Sequence, residues 1–220
     1  CRSGPRSPKW RCARRPLGLA AGQPGYLMQQ KATGVIFVLV GPSGSGKDTV
    51  INWLHTRLAG QTDFLFVRRI VTRISDADHE DHETMSEEAF HQARASGAFA
   101  LHWRAHDLHY AIPVSVINHL NKGGLAIVNG SRRTLSEMEA AFNHLQIIHL
   151  DVDPAVLAER LAHRSRDSDT SVTARLAQGA LEFKTRTPVI HVSNNGPVEA
   201  AGRHILDLIW AHRPGRPPEN

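Results

Sequence analysis

Short apolar runs alternate along the chain with segments whose apolar residues recur every three or four positions. Apolar runs of about four to eight residues predict buried strands, and the second spacing predicts amphipathic helices. The predicted strands are Gly34–Val40, Phe64–Val71, Leu125–Val128, Gln146–Val152 and Val189–Val192. Because strands that alternate with helices form parallel sheets covered on both faces, we predict an α/β fold.

The predicted helices rest on apolar periodicity and on residues that begin helices. Pro113 suits the first position of a helix, and Thr134 with Glu137 has the spacing of a capping box. The predicted helices are Asp48–Leu58, Ser86–Ala95, Pro113–Asn121, one that starts at Thr134, Asp153–Arg164, Ser171–Thr185 and Val198–Ala211. The other predicted segments are a mobile, histidine-rich loop over Ile74–Thr84, short strands around a turn in Ala98–Tyr110, and a charged loop over Arg164–Thr170.

A glycine-rich segment joins the first predicted strand to the first predicted helix. Glycines let successive backbone N–H groups curl around phosphate oxygens, and the helix N-terminus adds positive potential. A lysine at the end of such a loop reaches the β- and γ-phosphates of a nucleoside triphosphate. The predicted nucleotide-binding residues are Gly41, Pro42, Ser43, Gly44, Ser45, Gly46, Lys47, Asp48 and Thr49. We therefore predict that the chain binds a nucleoside triphosphate, with Lys47 as a catalytic residue.

The loop departs from the usual pattern at one position. Ser or Thr normally follows the lysine and supplies a hydroxyl to Mg²⁺, but Asp48 stands there. Carboxylate and hydroxyl oxygens both suit Mg²⁺, so Asp48 and Thr49 are the predicted metal ligands. Alternatively, Asp48 is only a carboxylate that stabilises the helix N-terminus.

The net charge of +5 comes from the two ends of the chain. Residues 1–27 hold six Lys and Arg and no Asp or Glu, and residues 212–220 hold two arginines and one glutamate. The remaining body has 18 basic and 20 acidic residues, so a general nucleic-acid-binding surface is not expected. No apolar run approaches the length of a transmembrane helix, so no membrane association is expected either.

Residues 1–27 are rich in Pro, Gly and Arg and lack apolar periodicity. We interpret them as a non-native or disordered extension ahead of a start at Met28, and residues 212–220 as a disordered tail. Leu17–Ala21 is too short for the apolar core of a signal peptide, whereas a transit peptide stays an alternative on composition. Both cysteines lie in the first 27 residues, so the body needs no disulfide and suits the reducing cytoplasm.

From Gly34 to about Trp210, the order of motifs resembles the guanylate kinase family. That family has an S-x-T-T-R segment after its second strand; Arg69–Arg73 lies there in this chain and keeps the phosphate-binding final arginine. The family's first serine of this segment, which helps to read guanine, falls on Arg69, and its acidic guanine contact falls on Leu101 or His102. The serine after its Tyr-Gly falls on Ile112, and the paired aspartates of its third strand fall on Asn129 and Ser131. A site that lacks the groups that hydrogen-bond guanine discriminates poorly between guanine and other bases, so a guanine nucleotide is not the expected acceptor. The gain of Arg69 suggests a second phosphate instead.

Four further segments, in order, resemble the ribose 1,5-bisphosphate phosphokinase family. After the Gly-Pro-Ser-Gly-Ser-Gly-Lys-Asp loop, that family has Arg-Arg-x-x-Thr-Arg, Trp-x-Ala-His, Tyr-x-Ile-Pro and Asn-Gly-Ser-Arg. The matching segments are Arg68–Arg73, Trp103–His106, Tyr110–Pro113 and Asn129–Arg132, with Ala111 where Gly is usual. The resemblance implies an enzyme of phosphonate use that phosphorylates the 1-phosphate of ribose 1,5-bisphosphate with ATP and Mg²⁺, giving 5-phosphoribosyl 1-diphosphate and ADP.

The resemblance also implies an architecture. We expect a guanylate-kinase-like P-loop domain over residues 28–211, built as a three-layer sandwich around a central parallel sheet. A small acceptor-binding insertion is expected at about 68–122 and an arginine lid at about 160–175.

Cations must offset the repulsion between two polyanionic substrates, whereas an ionised acceptor phosphate needs no catalytic base. The resemblance assigns Arg164 and Arg175 to the transferring phosphoryl group, since a guanidinium pairs with two phosphate oxygens. Arg160 and Arg164 are spaced i, i+4 on one helix face and, followed by Arg166 and Arg175, resemble the lid of nucleotide kinases. The alternative for Arg160 and Arg164 is a solvated helix face paired with acids such as Asp167. The predicted substrate-binding residues are Arg69, Arg73, Tyr110, Asn129, Ser131 and Arg132. Arg133 stays an alternative to Arg132, and strand alternation turns Arg68 outward.

Two other functions compete with this hypothesis. One is a guanylate or other nucleoside monophosphate kinase. The other is a guanylate-kinase-like protein-binding module without catalysis, although such modules typically lose the phosphate loop that is intact here. Asn194 and Asn195 are candidates for contacts with the nucleotide base.

Five histidines cluster in the sequence: His79, His82, His102, His106 and His109. No cysteine joins them, and they span a predicted loop and strands rather than one helix. We interpret them as polar surface or substrate contacts rather than as a transition-metal site.

Overall fold

The computed structural model describes residues 34–73, 82–105, 107–164 and 184–213, with only the backbone of residues 163 and 164. Several predicted features lie outside these ranges: the extension at 1–27, residues 74–81 with His79, His106, the charged loop after Arg164, most of the helix Ser171–Thr185 with Arg175, and residues 214–220.

Within the described ranges, nine strands form two sheets. The strands are β1 Val35–Val40, β2 Phe64–Val67, β3 Arg69–Val71, β4 His82–Thr84, β5 Phe99–Ala105, β6 Leu108–Pro113, β7 Leu125–Asn129, β8 Leu145–Asp151 and β9 Val189–Ser193. The large sheet has the order β2–β7–β1–β8–β9, and all its pairings are parallel. At its centre, Val38 pairs with Val128 on one side and with Ile147 on the other.

Helices cover both faces of the large sheet. The helices of the described residues are α1 Lys47–Arg57, α2 Glu87–Ala95, α3 Ser115–Asn121, α4 Leu135–Ala141, α5 Pro154–Arg164 and α6 Val198–Ala211. Of these, α2 packs on the small sheet instead. Side chains of β1 alternate between two cores: Val38 and Val40 pack with α3 and α4, whereas Phe37 and Leu39 pack with α1 and α6. The predicted three-layer sandwich is therefore confirmed. None of the described helices combines the length and the apolarity that crossing a membrane requires.

The small sheet is mixed, with the order β4–β3–β6–β5. Helix α2 covers one of its faces, because Phe90 packs against Ile70 and Ala111. The other face is turned toward the large sheet, since Ile112 belongs to that core and Trp103 packs against it. The strands of this sheet fall within the segment in which we predicted the acceptor-binding insertion.

The predicted strand Phe64–Val71 is wrong as one continuous element. It ends at Val67 in the large sheet and resumes at Arg69 in the small sheet. Arg68 lies between the two strands, is exposed, and donates from Nη2 to the carbonyl of His82 at 3.1 Å. The break leads the chain from one sheet to the other.

Several other predicted boundaries are also wrong. Pro113 ends β6 instead of starting a helix, which suits a residue without an N–H to continue the ladder. His82–Thr84, predicted as loop, form β4, and Lys184 and Thr185 are not helical. Thr134 makes no capping box: its hydroxyl donates to the carbonyl of Ser131 at 3.0 Å, inside a 3-10 turn that precedes α4.

Candidate active site

The glycine-rich loop leaves β1 at the carboxyl edge of the large sheet and ends in the first turn of α1. Gly44 and Gly46 have φ values of 84° and 88°, which glycine adopts without steric cost. A Cβ at Gly46 would lie 2.7 Å from Nδ2 of Asn194, so this position has no room for a side chain. Gly46 provides no side-chain cap for α1. The first N–H groups of a helix have no acceptor within it, so this helix start can bind phosphate.

Lys47 folds back over its own loop. Its ammonium Nζ donates to the carbonyl oxygens of Gly41 at 3.0 Å and Pro42 at 2.9 Å. A phosphate in the loop would offer the ammonium a charged acceptor, which forms a stronger hydrogen bond than a neutral carbonyl. The side chain of Ser45 is fully buried. Its backbone N–H donates to the carbonyl of Pro42 at 3.2 Å, so Ser45 helps to shape the loop rather than lining its surface.

The carboxylate of Asp48 reaches the end of the neighbouring strand. Asn129 donates from Nδ2 to Oδ1 of Asp48 at 2.6 Å. The contact is possible because β7 lies beside β1, with Asn129 paired to Leu39 in the register. We predicted these two residues to serve different substrates, and the structure brings them together.

A cavity of about 380 Å³ opens beside the loop, where α6 begins. It is lined by Gly44, Gly46, Thr49, Arg160, Asn194, Gly196 and Val198. Small-molecule pockets span roughly 300–1,000 Å³, so this volume suits a nucleoside. Thr49 therefore lies on the cavity side of the loop, whereas Asp48 contacts the end of β7.

Asn194 joins the glycine loop to β8 and α5. It is only 4% exposed, and its Nδ2 donates to the carbonyl of Ser45 at 2.8 Å. Its backbone N–H donates to the carbonyl of Asp151 at 2.8 Å, and its own carbonyl accepts from Nη2 of Arg160 at 2.9 Å. One buried residue thus supports the back of the loop and holds a guanidinium at the wall of the cavity.

Strand pairing assigns the side chains of the small sheet to its two faces. Val71 pairs with Tyr110, and Arg69 lies two residues before Val71, so Arg69 and Tyr110 share a face. Trp103 pairs with Tyr110 on this face, and their rings stack at 5.4 Å with an interplanar angle of 9°. This is the face that turns toward the large sheet.

The residue types on this face indicate which ligands it could bind. By strand pairing, its residues are Arg69, Val71, His82, Thr84, Leu101, Trp103, Ala105, Leu108, Tyr110 and Ile112. None of these ten strand residues is a carboxylate. The face therefore presents cationic, aromatic and apolar groups.

Ser131 and Arg132 follow β7 where it leaves the sheet. Arg132 is partly buried, whereas Arg133 is exposed. Burial, followed by the positive charge of Arg133, lowers the pKa of Arg132. The hydroxyl of Ser131 accepts the backbone N–H of Arg133 at 3.3 Å, so it shapes the 3-10 turn. Of the two arginines, Arg132 is thus the one turned into the protein.

Asp151, the last residue of β8, joins His149 of the same strand to His191 in the middle of β9. Its carboxylate contacts Nδ1 of His149 at 2.6 Å and Nδ1 of His191 at 3.0 Å. Burial lowers the pKa of His149; the Asp151 carboxylate opposes this effect, while Arg132 and His191 add to it, and the net shift is downward. Burial thus favours the neutral form of the His149 imidazole.

Arg73, Arg164 and Arg175 are the remaining predicted site residues. Arg73 follows β3 and is exposed. Arg164 is the last residue of α5, and its side chain lies outside the described atoms, as does all of Arg175. The structure therefore brings Asp48 and Asn129 together, whereas the side chains of the two lid arginines lie outside the described residues.

Sequence reasoning missed the cavity role of Arg160, which we had placed only in the lid pattern. It also missed the group of His149, Asp151 and His191. The signal for the cavity was the Asn-Asn-Gly-Pro turn between β9 and α6. The signal for the second group was polar residues two positions apart at the end of an otherwise apolar strand.

A family model and two known proteins each match more than half of this chain. A family model described as an AAA domain matches residues 37–178. Ribose 1,5-bisphosphate phosphokinase PhnN of Agrobacterium fabrum is 40% identical over 174 residues, which are 79% of this chain and 95% of that protein. The protein of the same name from Rhizobium etli is 39% identical over 176 residues, 80% of this chain and 89% of that protein.

A solved structure shares the fold. The crystal structure of guanylate kinase from Anaplasma phagocytophilum matches with a TM-score of 0.58 over 84% of this chain and 88% of that chain. At 17% sequence identity this likeness describes the fold alone. The guanylate-kinase-like architecture predicted from the motif order is confirmed.

Proposed function

The chain belongs to the family of ribose 1,5-bisphosphate phosphokinases, and we propose that it transfers the γ-phosphoryl group of ATP to the 1-phosphate of ribose 1,5-bisphosphate. An oxygen of the 1-phosphate forms a bond to the γ-phosphorus, and the bond from that phosphorus to the β–γ bridging oxygen breaks. The products are 5-phosphoribosyl 1-diphosphate and ADP. The attacking oxygen is already ionised, so the protein needs to align and neutralise the substrates rather than remove a proton.

The observation that carries this proposal is the face of the small sheet turned toward the large one. Its strand residues include Arg69 and Tyr110 but no carboxylate. Guanine presents N–H donors on its base-pairing edge, and a site that reads them needs carboxylate or similar acceptors. A guanidinium suits phosphate instead, because its planar fork matches two phosphate oxygens.

We assign the substrates to two sides of the Asp48–Asn129 contact. The triphosphate lies in the loop from Gly41 to Thr49, and its nucleoside fills the cavity beside Arg160 and Asn194. The sugar bisphosphate lies between the end of β7 and the small sheet, where Arg69, Arg73, Tyr110, Asn129, Ser131 and Arg132 surround it. Arg164 and Arg175 complete the neutralisation of the transferring group.

Oxygen donors that suit Mg²⁺ stand beside the phosphate loop. Asp48 offers a carboxylate whose orientation is set by Asn129 at 2.6 Å, and Thr49 offers a hydroxyl at the cavity wall. Mg²⁺ bound with ATP supplies charge neutralisation of the β- and γ-phosphates. Because Asp48 faces the acceptor side of the loop, we assign the metal to Asp48 in preference to Thr49.

The partner of this enzyme is a small molecule, the sugar bisphosphate that accepts the phosphoryl group.

Both cysteines of the chain lie in residues 1–27, so the kinase body contains no thiol that oxidation could cross-link. We place the reaction in a reducing cytoplasm on that ground.

An acceptor screen with MgATP tests the proposal. The purified protein is offered ribose 1,5-bisphosphate, ribose 5-phosphate and GMP separately, and formation of the diphosphate product is measured directly. We expect turnover with ribose 1,5-bisphosphate and none with GMP. Efficient turnover of GMP without turnover of ribose 1,5-bisphosphate would overturn the proposal in favour of a guanylate kinase.

A further inference from the structure

Three side chains that commonly bind metals converge on the outer face of the small sheet, opposite to Tyr110. Glu87 and His91 lie one helical turn apart on α2, and His109 lies on β6. Oε1 of Glu87 is 3.5 Å from Nε2 of His109 and 3.8 Å from Nε2 of His91. The three ligand atoms all lie within 4.8 Å of one another.

The two distances from Glu87 fit a shared metal ion better than hydrogen bonds. Nitrogen–oxygen hydrogen bonds in proteins span about 2.7–3.2 Å, which is shorter than either distance. A tetrahedral zinc ion with bonds of about 2.0–2.1 Å holds its ligand atoms roughly 3.3–3.4 Å apart. We propose that Glu87, His91 and His109 form a binding site for Zn²⁺ or a similar divalent transition-metal ion.

The chemistry of the donor set selects the class of ion. Two imidazoles and one carboxylate suit Zn²⁺, Ni²⁺ and Cu²⁺, whereas Mg²⁺ and Ca²⁺ prefer oxygen ligands alone. The site is therefore distinct from the Mg²⁺ that accompanies ATP. Three protein ligands leave further positions for water.

The ligands stand on well-fixed backbone. The N–H of His109 donates to Oγ1 of Thr72 at 2.8 Å, and its carbonyl accepts the N–H of Thr72 at 2.9 Å. The ring of Phe90, which is 1% exposed, packs 5.2 Å from the ring of His109. The hydroxyl of Ser86 caps α2 by accepting the N–H of Ala89. Such support lowers the cost of assembling a metal site.

The group formed by His149, Asp151 and His191 offers a useful contrast. There the carboxylate lies 2.6 Å and 3.0 Å from the two ring nitrogens, which are hydrogen-bond distances. A metal ion could bind there only if the carboxylate and the two imidazole rings moved apart. Among the described residues, the group on α2 and β6 is therefore the better prepared of the two.

A bound ion would tie α2 to β6 directly behind Tyr110. Because His109 and Tyr110 are consecutive, the ion would restrain the strand that carries a proposed substrate contact. Any ligand that binds the folded chain alone raises its stability with concentration. We therefore expect the midpoint of thermal unfolding to rise as Zn²⁺ is added.

The test is a titration of the full chain with Zn²⁺ in competition with a chromophoric chelator, in the presence of excess Mg²⁺. Two variants, His91→Ala and Glu87→Gln, remove one ligand each; both residues are exposed, so the fold should persist, as circular dichroism would verify. Mutating a residue that only orients a metal ligand typically weakens metal binding by roughly 10–100-fold. Loss of a ligand itself should weaken Zn²⁺ binding by at least this factor. The Zn²⁺-dependent rise in unfolding midpoint should disappear in the same variants.

Two matched histidine variants act as controls. His191→Ala removes the exposed member of the competing group, and His204→Ala removes an exposed histidine of α6. Both should bind Zn²⁺ as the parent chain does. Unchanged affinity in His91→Ala, loss of binding in His191→Ala, or displacement of Zn²⁺ by Mg²⁺ would each overturn the proposal.

Discussion

Asn129 donates a hydrogen bond of 2.6 Å to Asp48, and this contact joins the phosphate loop to the strand that leads into Ser131 and Arg132. It fixes the direction of the carboxylate at the first turn of α1. It also places the proposed acceptor site next to the nucleotide loop, because the side chain of Asn129 connects the two. Phosphoryl transfer depends on alignment of both substrates, so a contact between the two sides bears directly on the rate.

We expect Asp48→Asn to raise the Mg²⁺ concentration needed for half-maximal rate, because an amide binds Mg²⁺ less well than a carboxylate. Asn129→Ala removes the group that orients this carboxylate, together with a proposed contact to the sugar bisphosphate, and should lower kcat/KM by at least roughly 10–100-fold. Mg²⁺ titrations of the initial rate measure both effects. If Thr49→Val, rather than Asp48→Asn, shifts the Mg²⁺ dependence, the metal ligand is the threonine.

Lys47→Ala should abolish turnover while the protein stays folded. Removing one group that stabilises transition-state charge costs about 10²–10³ in kcat. The side chain is only partly buried, and its hydrogen bonds go to two loop carbonyls, so the far-UV circular dichroism spectrum should not change. Retained activity in a folded Lys47→Ala protein would remove this residue from the mechanism.

Arg69→Ala should raise the KM for ribose 1,5-bisphosphate much more than the KM for ATP. A hydrogen bond to a charged group contributes about 1.5–3 kcal/mol, which corresponds to roughly a ten- to 150-fold change in affinity. Arg68→Ala is the matched control, since Arg68 is adjacent but exposed and bonded to the backbone of β4. Equal effects of the two variants on the acceptor KM would contradict the assignment of Arg69.

Asn194→Ala should destabilise the protein and weaken ATP binding together. It leaves the carbonyl of Ser45 without the amide that donates to it at 2.8 Å, and an unsatisfied buried group costs about 1–3 kcal/mol. Urea unfolding measures the first effect, and the KM for ATP measures the second. Asn143→Ala, at an exposed asparagine between α4 and β8, should leave the KM for ATP unchanged.

Glu139 should make the stability depend on pH in the acid range. Its Oε1 accepts the N–H groups of Arg186 at 2.8 Å and Thr187 at 2.7 Å. Burial by itself raises the pKa of Glu139, but the hydrogen bonds from Thr187 and Arg186 and the charge of Arg186 outweigh it, so the pKa lies below its ordinary 4.5. A carboxyl with a lowered folded pKa stabilises the fold above its unfolded pKa, and this contribution is lost as the pH falls through the folded value.

The measurement is the free energy of unfolding in urea from neutral pH down to below the ordinary pKa of a glutamate. The parent chain should lose stability in the acid part of this range, whereas Glu139→Gln should start less stable and change less. Glu199→Gln, at an exposed position of α6, is the control and should follow the parent curve. Parallel curves for the parent and Glu139→Gln would show that the carboxyl is not responsible.

Local pattern was sufficient where one segment makes its own structure. The strand β1, the glycine loop and α1 are consecutive, and each is defined by neighbours within a few residues. Helix α6 over Val198–Ala211 has the predicted bounds for the same reason. The family resemblance, carried by short ordered segments, is likewise confirmed by the relatives.

Local pattern failed where one apolar run serves two sheets. Phe64–Val71 reads as a single strand, yet only Phe64–Val67 pair with β7, while Ile70 pairs with Ala111 of β6. Nothing in the run itself marks the change, because both partners accept the same apolar residues. Which sheet each half joins depends on its neighbouring strand, which is β7 for Phe64–Val67 and β6 for Ile70 and Val71.

The chain by itself therefore determined the phosphate loop, the α/β order and the family, because these depend on residues close together in the sequence. Only the tertiary structure decided that Asp48 meets Asn129, 81 positions away, that Asn194 supports the loop from behind, and that His109 meets Glu87 and His91. Contacts of this kind depend on which strands lie side by side and on which face each residue falls. Sheet order and register are properties of the whole fold, and no local pattern contains them.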